Sequence, residues 1–479
     1  MEAFVNYLNS IIWSSALIYL CLGTGLYFSI RTRFLQIRHF RHMITLMFQG
    51  KSSDSGVSSF QALAISLSGR VGTGNIAGVA TAIAMGGPGA VFWMWLVAFL
   101  GASTAYVEAT LAQIYKEKDE KGMYRGGPAY FIEKAMGQKW YAWLFAICTI
   151  IAVGFCLPGI QANSIVAAVE NAWGVSPVAA ASVIAAGVAA IVFGGVRRIA
   201  RFTQVVVPVM ALGYILVALL VMAANYEKIP AMFGLIIDSA FGFDAGYGAI
   251  IGMAIQWGVK RGIYSNEAGQ GTAPHAAAAA EVSHPAKQGL VQAFSVYIDT
   301  LFVCTATAFM ILLTGLYNVQ GPDGTMLYTG LGGVEAGPIY VQSAFETILP
   351  GLGASLLAIS LFFFAFTTIL AYYYIAETNV TFINREVHRP WLMIFLKWLV
   401  LTSVMYGGIK SADLAWALGD VGVGAMAWLN IVAILILQRP ALLALKDYET
   451  QLKDGVDPTF DAEAAGIENA DFWVKTKVD

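Results

Sequence analysis

Long apolar segments recur along the whole chain, and they constrain its fold more than any other feature. Eleven of them approach the length of about 20 residues that a helix needs to cross the bilayer core. They cover residues 10–30, 59–85, 88–114, 140–169, 177–194, 203–224, 246–262, 287–316, 351–376, 391–408 and 413–437. Backbone amides need partners inside a bilayer, which favours helices, and a barrel would show short alternating segments instead. The sequence therefore predicts an all-α polytopic membrane protein with about eleven transmembrane helices.

The composition excludes several classes of protein. Hydrophobic residues make up 58% of the 479 residues and charged residues only 12%. So few charges cannot cover the surface of a soluble fold of this length, which excludes a soluble enzyme and a disordered protein. The 28 basic and 30 acidic residues give no basic footprint for nucleic acid. A membrane-embedded enzyme has little support, because all five histidines lie outside the apolar runs.

The positions of Lys and Arg predict how the chain is oriented. If the N-terminus lies outside, 24 of the 28 basic residues fall in inner loops or in the C-terminal tail. This count includes Lys260 and Arg261 among the inner residues. It leaves Lys228 and Lys410 outside, and the last two, Arg70 and Lys397, fall within spans. The positive-inside rule then predicts an outer N-terminus and a cytoplasmic C-terminus. The first apolar run follows no basic residue and is too long for a signal-peptide core, so we expect it to remain a membrane helix.

Two of the apolar runs contain features that interrupt membrane helices. The second run carries Gly-Arg-Val-Gly-Thr-Gly-Asn at residues 69–75, and the seventh carries glycines at both ends of residues 252–258, followed by the polar stretch 260–272. These breaks lie five helices apart, which is typical of inverted repeats that hold a binding site between two broken helices. The alternative is that the glycines only allow helices to pack closely.

The paired breaks predict the organisation of the chain. An extra N-terminal helix and a basic cytoplasmic loop occupy residues 1–58, and the two inverted repeats occupy residues 59–225 and 246–437. An outer connecting segment lies between them at residues 226–245, and residues 438–479 form a cytoplasmic tail with a short helix at most. We expect residues 227–245 and 339–349 to form helices that cap the outer mouth.

The ends of the broken helices predict a site for a zwitterion. Amides at the start of the outer half of span 2 carry the positive end of a helix dipole, which suits a carboxylate. Carbonyls at the expected break of span 7 suit an ammonium group, and the small lining residues favour a small α-amino acid. A glutamine of span 4 either reaches this pocket or bonds between helices. The predicted substrate-binding residues are Thr73, Gly74, Asn75, Gln161, Ile255, Trp257 and Gly258.

Two threonines in the middle of span 9 indicate a cation site. A hard cation such as Na⁺ prefers oxygen ligands, and the hydroxyls of Thr367 and Thr368 can join carbonyls of span 2 near Ser68 and Val71. The alternative is that each threonine bonds the carbonyl four residues earlier in its own helix.

Two charged side chains fall near the middle of the bilayer. They are Arg70 in span 2 and Asp299 in span 8. Charges at this depth are costly and usually functional. We expect the two to pair, and the alternative is that either one senses protons.

Four stretches resemble motifs of the bacterial alanine/glycine:cation symporters, the sodium:alanine symporter family. They are residues 71–78, the aromatic-rich stretch 86–101, residues 260–269, and 298–300 together with 304–307. The resemblance covers about residues 10–440. It implies a leucine-transporter-type 5+5 inverted repeat with one extra N-terminal helix, in the bacterial inner membrane. It also implies Na⁺-coupled uptake of L-alanine or glycine, with the carboxylate on the Thr73 and Gly74 amides and Na⁺ on Thr367, Thr368 and span 2 carbonyls.

The same resemblance implies a transporter that is not an enzyme and that needs no organic cofactor, nucleic acid or obligatory protein partner. Its surroundings are the lipid bilayer, and Na⁺ is its coupling ion. A proton-coupled carrier is the main alternative, because Asp299 is an ionisable group at mid-depth. A channel is the next alternative, but no span carries the continuous polar stripe that a channel lining needs.

Overall fold

Helices account for most of the computed structural model, which describes residues 2–243 and 250–474. In the N-terminal part the α-helices are α1 (Glu2–Ile12), α2 (Ser15–Arg31), α3 (Leu35–Arg38), α4 (Phe40–Met47), α5 (Ser59–Arg70), α6 (Val79–Gly86), α7 (Ala90–Ile114), α8 (Pro128–Met136), α9 (Lys139–Ile151), α10 (Leu157–Trp173), α11 (Pro177–Val192), α12 (Val196–Ala224) and α13 (Ile229–Ala240). In the C-terminal part they are α14 (Ile251–Asn266), α15 (Ala273–Ala278), α16 (Pro285–Val296), α17 (Thr305–Thr314), α18 (Pro338–Glu346), α19 (Gly353–Val387), α20 (Trp391–Ile409) and α21 (Ala412–Lys453).

Shorter elements complete the fold. Within residues 2–243 and 250–474, three π-helical segments connect helices: Gly74–Gly78 before α6, Ala152–Cys156 between α9 and α10, and Tyr297–Cys304 between α16 and α17. Two small antiparallel hairpins lie outside the helices. They pair β1 (Glu117–Lys118) with β2 (Tyr124–Arg125), and β3 (Asn318–Gln320) with β4 (Met326–Thr329).

The membrane architecture predicted from the apolar runs is confirmed in its coarse form. Within the described part of the chain, eight helical stretches are long and apolar enough to cross a bilayer. Each overlaps one of the predicted runs. The other three runs form shorter helices: 59–85 divides into α5 and α6, 177–194 forms α11, and 246–262 leads into α14. The beginning of that last run, at residues 246–249, lies outside the described residues.

The first predicted break is present in the structure. Helix α5 begins with a capping box, in which Ser58 accepts a hydrogen bond from the Gln61 amide at 3.2 Å and the Gln61 side chain accepts one from the Ser58 amide at 3.0 Å. The helix ends at Arg70, because Val71 has a non-helical ψ of 86°. Helical structure resumes with the π-helical segment and α6. The chain therefore has one helix C-terminus and one helix N-terminus within a few residues of each other.

The second break lies further along the chain than predicted. Helix α14 runs without interruption through Ile255 and Gly258 to Asn266. The chain leaves the helix at residues 267–272, where Glu267, Gly269 and Gly271 all adopt positive φ angles of 56°, 81° and 85°. The prediction of a break at 255–258 is wrong because Gly258 serves packing: a methyl group on it would lie 2.5 Å from the Ala90 carbonyl oxygen of α7.

A buried carboxylate supports the true second break. Glu108 of α7 is fully buried and accepts hydrogen bonds from the Gly269 amide at 3.2 Å and from the Asn430 side chain at 2.7 Å. Asn430 in turn donates to the Gly269 carbonyl at 3.0 Å. The non-helical backbone of this loop is thus satisfied by side chains from α7 and α21, as irregular backbone at membrane depth must be.

The end of the bundle where α6 ends and where α14 and α21 begin is called the outer end here, after the expected orientation. Helices α13 and α18 form at this end within the two segments predicted to cap the outer mouth, although residues 244 and 245 lie outside the described part. The indole of Trp93 in α7 donates to the Ala240 carbonyl of α13 at 3.4 Å.

Two basic residues lie in a different place from the one that the charge count gave them. Lys260 and Arg261 are buried within α14 and both contact Asp420. Asp420 follows the outer start of α21 by about two turns. These side chains therefore belong to the outer half of the bundle, and the sequence misplaced them because it put the break of α14 too early. The inner bias of the remaining basic residues is unaffected.

The C-terminal tail is more ordered than predicted. Helix α21 continues to Lys453, well beyond the expected end at residue 437. The segment after it folds back, burying Phe460 and Trp473. The Trp473 indole donates to the Gln113 carbonyl at the end of α7 at 2.7 Å. The prediction of a polar tail overlooked these aromatic side chains, which pack on the inner end of the bundle.

Candidate transport site between the two broken helices

The backbone amides of the first break already bind oxygen acceptors. The Gly72 amide donates to the Asn75 side-chain oxygen at 2.8 Å, and the Thr73 amide donates to Gln161 Oε1 at 3.0 Å. Gln161 comes from α10, at the level where α10 follows its π-helical segment. A buried amide oxygen thus occupies the position in which the sequence predicts a carboxylate oxygen. The structure brings Thr73, Asn75 and Gln161 together.

The ends of the two broken helices face each other. A methyl group on Gly74 would lie 3.3 Å from Ser265 Cα and 3.0 Å from a ring carbon of Tyr264. Gly74 begins the helical segment that leads into α6, whereas Ser265 lies in the last turn of α14. The positive end of one helix dipole therefore lies beside the negative end of another. Unpaired carbonyls belong to this last turn and not to residues 255–258, which are internal to α14.

Asp299 holds a buried polar network together beneath these helix ends. Its carboxylate accepts hydrogen bonds from Asn75 at 2.6 Å, Ser265 at 2.9 Å and Thr300 at 2.7 Å. All four residues are buried. The network joins the segment after the first break to the last turn of α14 and to the π-helical segment between α16 and α17. It fixes the relative positions of the two broken helices.

Arg70 and Asp299 do not form the expected ion pair. Arg70 Nη1 donates to the Gln292 carbonyl at 3.2 Å and to the Ser295 hydroxyl. Its Nε and Nη2 atoms have no hydrogen-bond partner in the described structure. The carboxylate of Asp299 accepts its hydrogen bonds from Asn75 and from two hydroxyl groups. The expected pair fails because the guanidinium points toward α16, away from the network below the site.

The two threonines of span 9 have different surroundings. The Thr368 hydroxyl lies 2.7 Å from the Ser68 carbonyl, 3.5 Å from the Val71 carbonyl and 3.0 Å from the Phe364 carbonyl. The Thr367 hydroxyl instead bonds the carbonyls of residues 363 and 364 in its own helix, and lies 3.9 Å from Met210 Sδ. The structure therefore brings Thr368, and not Thr367, to the carbonyls of the first break.

The Thr368 surroundings are rich in oxygen. A hydroxyl group has one hydrogen and can donate it to one acceptor at a time. Three carbonyl oxygens lie within 3.5 Å of Thr368 Oγ1, so the hydroxyl can donate its hydrogen to only one of these carbonyls at a time. The other two carbonyl oxygens receive no hydrogen bond from Thr368. Carbonyl and hydroxyl oxygens are the ligands that hard cations prefer. The residues present fit a small cation such as Na⁺.

Comparison with known proteins identifies the family to which this chain belongs. The model of the sodium:alanine symporter family matches residues 1–462. The chain is 62% identical over 475 residues to the putative sodium/proton-dependent alanine carrier protein YrbD of Bacillus subtilis, covering 99% of this chain and 98% of that protein. The chain belongs to the sodium:alanine symporter family. It is also 52% identical over 432 residues to the sodium/proton-dependent alanine carrier protein of Bacillus sp. PS3, covering 90% of this chain and 97% of that protein.

The fold of this symporter also resembles that of a solved transporter. It superposes on a manganese transporter of Eremococcus coleocola with a TM-score of 0.54 at 13% sequence identity, covering 86% of this chain and 83% of the other. This likeness concerns the fold alone. Together with the family match, it confirms a multi-pass membrane transporter, as the sequence predicted.

Tyr264 of the symporter is a site residue that the sequence analysis missed. Its hydroxyl accepts a hydrogen bond from Gln161 at 3.4 Å, and its ring lies 5.1 Å from that of Trp416. Its ring also packs where a side chain on Gly74 would be. The sequence contains a signal for this residue, because Tyr264 belongs to the 260–269 motif. The break predicted at residues 255–258 placed Tyr264 beyond the expected site.

Trp257 of the symporter lies in an outer vestibule and not beside the helix ends. The vestibule is a cavity of about 570 Å³ lined by Trp257, Trp416 and the Asp420 cluster, among other residues. Ile255 and Gly258 lie on the same uninterrupted helix, and neither lines this cavity. Trp416 lines the vestibule, and its ring lies 5.1 Å from that of Tyr264, which packs against Gly74. The sequence placed Trp257 among the residues of the central pocket, but in the structure its ring lines the vestibule instead.

Proposed function

We propose that this symporter carries alanine and glycine into the cell together with Na⁺, as a secondary active transporter. The observation that carries the proposal is the meeting of two helix ends beside an oxygen-rich cradle. The N-terminal end of the segment after Thr73 faces the C-terminal turn of α14. The cradle around Thr368 lies on the other side of the same break. Family membership supports this substrate class.

The two helix ends bind the two charges of an α-amino acid. The amides of Thr73 and Gly74 hold the carboxylate, and Gln161 Oε1 leaves the Thr73 amide when substrate arrives. The ammonium group faces the last carbonyls of α14, near Tyr264 and Ser265. These backbone contacts suit every α-amino acid, so size must decide which one is carried. Tyr264 limits the space, because its ring already lies against Gly74.

The Na⁺ site consists of the Thr368 hydroxyl and the carbonyls of Ser68 and Val71. Thr367 contributes through its position in α19 and not as a direct ligand. The ammonium-binding role expected of residues 255–258 passes to the last turn of α14, because this turn lies beside Gly74, whereas residues 255–258 are internal to the helix.

The geometry also suggests why the two solutes move together. A methyl group on Gly72 would lie 2.4 Å from Thr368 Oγ1 and 2.9 Å from Gln161 Oε1. The cation cradle and the carboxylate-binding amide therefore share the backbone of residues 71–73. A cation that orders this backbone improves carboxylate binding, and by linkage the substrate improves cation binding to the same degree.

The finer architecture is part of the same proposal. We assign eleven spans to the chain, with α5–α12 and α14–α21 as the two inverted repeats and α1–α2 as the extra N-terminal helix. The N-terminus lies outside and the C-terminus in the cytoplasm of a bacterial inner membrane. The bias of Lys and Arg toward one side supports this orientation.

Protons are the second candidate for the coupling ion. Two relatives carry names that include both sodium and proton dependence. Asp299 is an ionisable group that contacts both broken helices, through its bonds to Asn75 and Ser265. Three donors already satisfy its carboxylate, which is the pattern of an ionised group. We therefore place Na⁺ first.

Uptake by proteoliposomes tests the proposal. Vesicles containing the full chain receive labelled alanine under an inward Na⁺ gradient, an inward proton gradient, or neither. We expect accumulation with Na⁺, inhibition by excess alanine or glycine, and no inhibition by leucine. Accumulation driven equally well by protons without Na⁺ would refute the assignment of the coupling ion. Failure of alanine to accumulate under any gradient would refute the substrate class.

A further inference from the structure

The floor of the outer vestibule carries one more positive charge than negative charges. Lys260 Nζ lies 2.7 Å from Asp420 Oδ2, and Arg261 Nη1 lies 2.8 Å from Asp420 Oδ1. Each of the three side chains is at most 8% exposed. Two buried cations thus share one carboxylate. A buried charge without a counter-charge is costly, so this floor favours an additional anion.

A second observation points to a missing ligand at the same place. Arg261 Nε is buried and has no hydrogen-bond partner in the described structure. Arg261 lines the vestibule, and its other two guanidinium nitrogens both bond Asp420. A guanidinium prefers acceptors along its whole planar edge. Nε is the one Arg261 nitrogen with no partner in the described structure, and it therefore marks a position for an acceptor oxygen.

The walls and mouth of the vestibule narrow the choice of ligand. The rings of Trp257 and Trp416 lie 5.2 Å and 4.4 Å from the Arg261 guanidinium carbon. Asp413 and Glu335 line the same cavity, are exposed, and make no ion pair with either buried cation. The cavity therefore offers cations at its floor and carboxylates at its mouth. Its volume of about 570 Å³ falls within the range of about 300–1,000 Å³ that is typical of small-molecule sites.

We propose that the vestibule is a second amino-acid-binding site, in which Lys260 and Arg261 hold the α-carboxylate and Asp413 and Glu335 face the ammonium group. The inference rests on the proposed function, because it takes the transported amino acid as its ligand. It adds a site outside the two helix breaks. The ligand is a small zwitterion, and a simple anion such as chloride satisfies the floor but not the mouth.

The position of this site links it to the central one. Asp420 belongs to α21 and its cationic partners belong to α14, so the ion cluster holds these two helices together at the outer end. Arg261 also stacks on Trp416, which packs against Tyr264 above the central site. A substrate carboxylate that binds Lys260 and Arg261 beside Asp420 draws both cations partly away from Asp420 and so weakens the link between α14 and α21. Binding in the vestibule thus favours opening of the path to Gly74.

Equilibrium binding of labelled alanine to the purified full chain in nanodiscs, with saturating Na⁺, tests the proposal. We expect two bound alanines per chain in the natural protein and one in Lys260→Gln, which keeps the Arg261–Asp420 bridge. Loss of one charge-assisted contact should weaken the second binding event by about 10- to 100-fold. Lys260→Arg should restore it. Lys228→Gln removes the same charge at the outer end away from the vestibule and serves as the matched control.

A second variant tests whether Lys260→Gln acts only by unfolding the floor of the vestibule. Asp413→Asn combined with Glu335→Gln alters two exposed side chains, and we expect it to weaken the second event while leaving the first intact. A stoichiometry of one in the natural protein, unchanged in Lys260→Gln, would overturn the inference. So would a second site filled by chloride, seen as chloride-dependent transport that Lys260→Gln abolishes. Both outcomes leave Na⁺-driven uptake by the natural protein intact, whereas absence of all alanine binding to the natural protein would count against the proposed function.

Discussion

Replacing Thr368 by Val is the sharpest test of how this symporter binds its cation. Val has nearly the shape of Thr, so the change removes one oxygen without opening a large cavity. The Thr368 hydroxyl lies within 3.5 Å of carbonyls on two elements, the first break and its own helix. Its loss takes away a direct ligand and also the bond to the Ser68 carbonyl at 2.7 Å.

The size of the effect follows from the interaction that is lost. A contact between a charged group and a hydrogen-bonding oxygen contributes about 1.5–3 kcal/mol. A factor of ten in an equilibrium constant corresponds to about 1.4 kcal/mol. We therefore expect Thr368→Val to raise the Na⁺ concentration for half-maximal alanine uptake by about 10- to 100-fold. The apparent affinity for alanine should fall when Na⁺ is limiting and recover in part at high Na⁺.

Thr367→Val is the matched control, since it makes the same chemical change one residue earlier. The Thr367 hydroxyl bonds the carbonyl of Phe363 in its own helix at 2.9 Å and, among the described residues, forms no hydrogen bond with the first break. Bonds of this kind contribute little to a helix. The assay is Na⁺-dependent uptake in proteoliposomes at matched protein density. A natural Na⁺ dependence in Thr368→Val, or a larger effect in Thr367→Val, would refute the assigned cation site.

Three further predictions concern the break, the pocket and the inner face. Gly72→Ala should abolish Na⁺-driven uptake, because its methyl group would lie 2.4 Å from a buried hydroxyl oxygen; uptake and thermal stability are measured together. Tyr264→Leu should let leucine compete with alanine, whereas Trp257→Ala should leave the size limit unchanged, because Trp257 lines the vestibule; competition assays decide between them. Burial lowers the pKa of His284 to about 4. The folded state therefore binds this proton more weakly than the unfolded state, so stability holds above pH 6.5 and falls as the pH drops from there toward 4; thermal unfolding against pH measures this.

Each of these predictions has its own control. Gly23→Ala serves for the break, because nothing lies within 4 Å of the added methyl group, and its uptake should stay near that of the natural protein. For the pH prediction, His284→Gln should reduce the dependence between pH 4 and 6.5, while His388→Gln alters an exposed imidazole and should not. If Trp257→Ala admits leucine, the vestibule assignment of this ring is wrong.

Much of the architecture could be predicted from the chain because it follows from local properties. Apolar runs of the required length became helices, since no other structure satisfies the backbone inside a bilayer. The first break was found because three glycines in six positions, 69–74, cannot continue a membrane helix without cost. The aromatic stretch 86–101 identified the family, and the comparison confirmed it.

What the sequence could not decide depends on contacts between distant helices. Gly258 looks like Gly269 in the sequence, yet Gly258 lets α14 pack against α7, whereas Gly269 adopts a positive φ and ends the helix. Thr367 and Thr368 are neighbours with the same side chain, but a helix turns by about 100° per residue, so one faces Met210 and the other faces the broken backbone. Arg70 likewise found its partners on α16 and not in Asp299. Local chemistry determined which segments cross the membrane and where one of them breaks, and packing determined which side chain meets which, because direction and distance arise only when the helices are placed against one another.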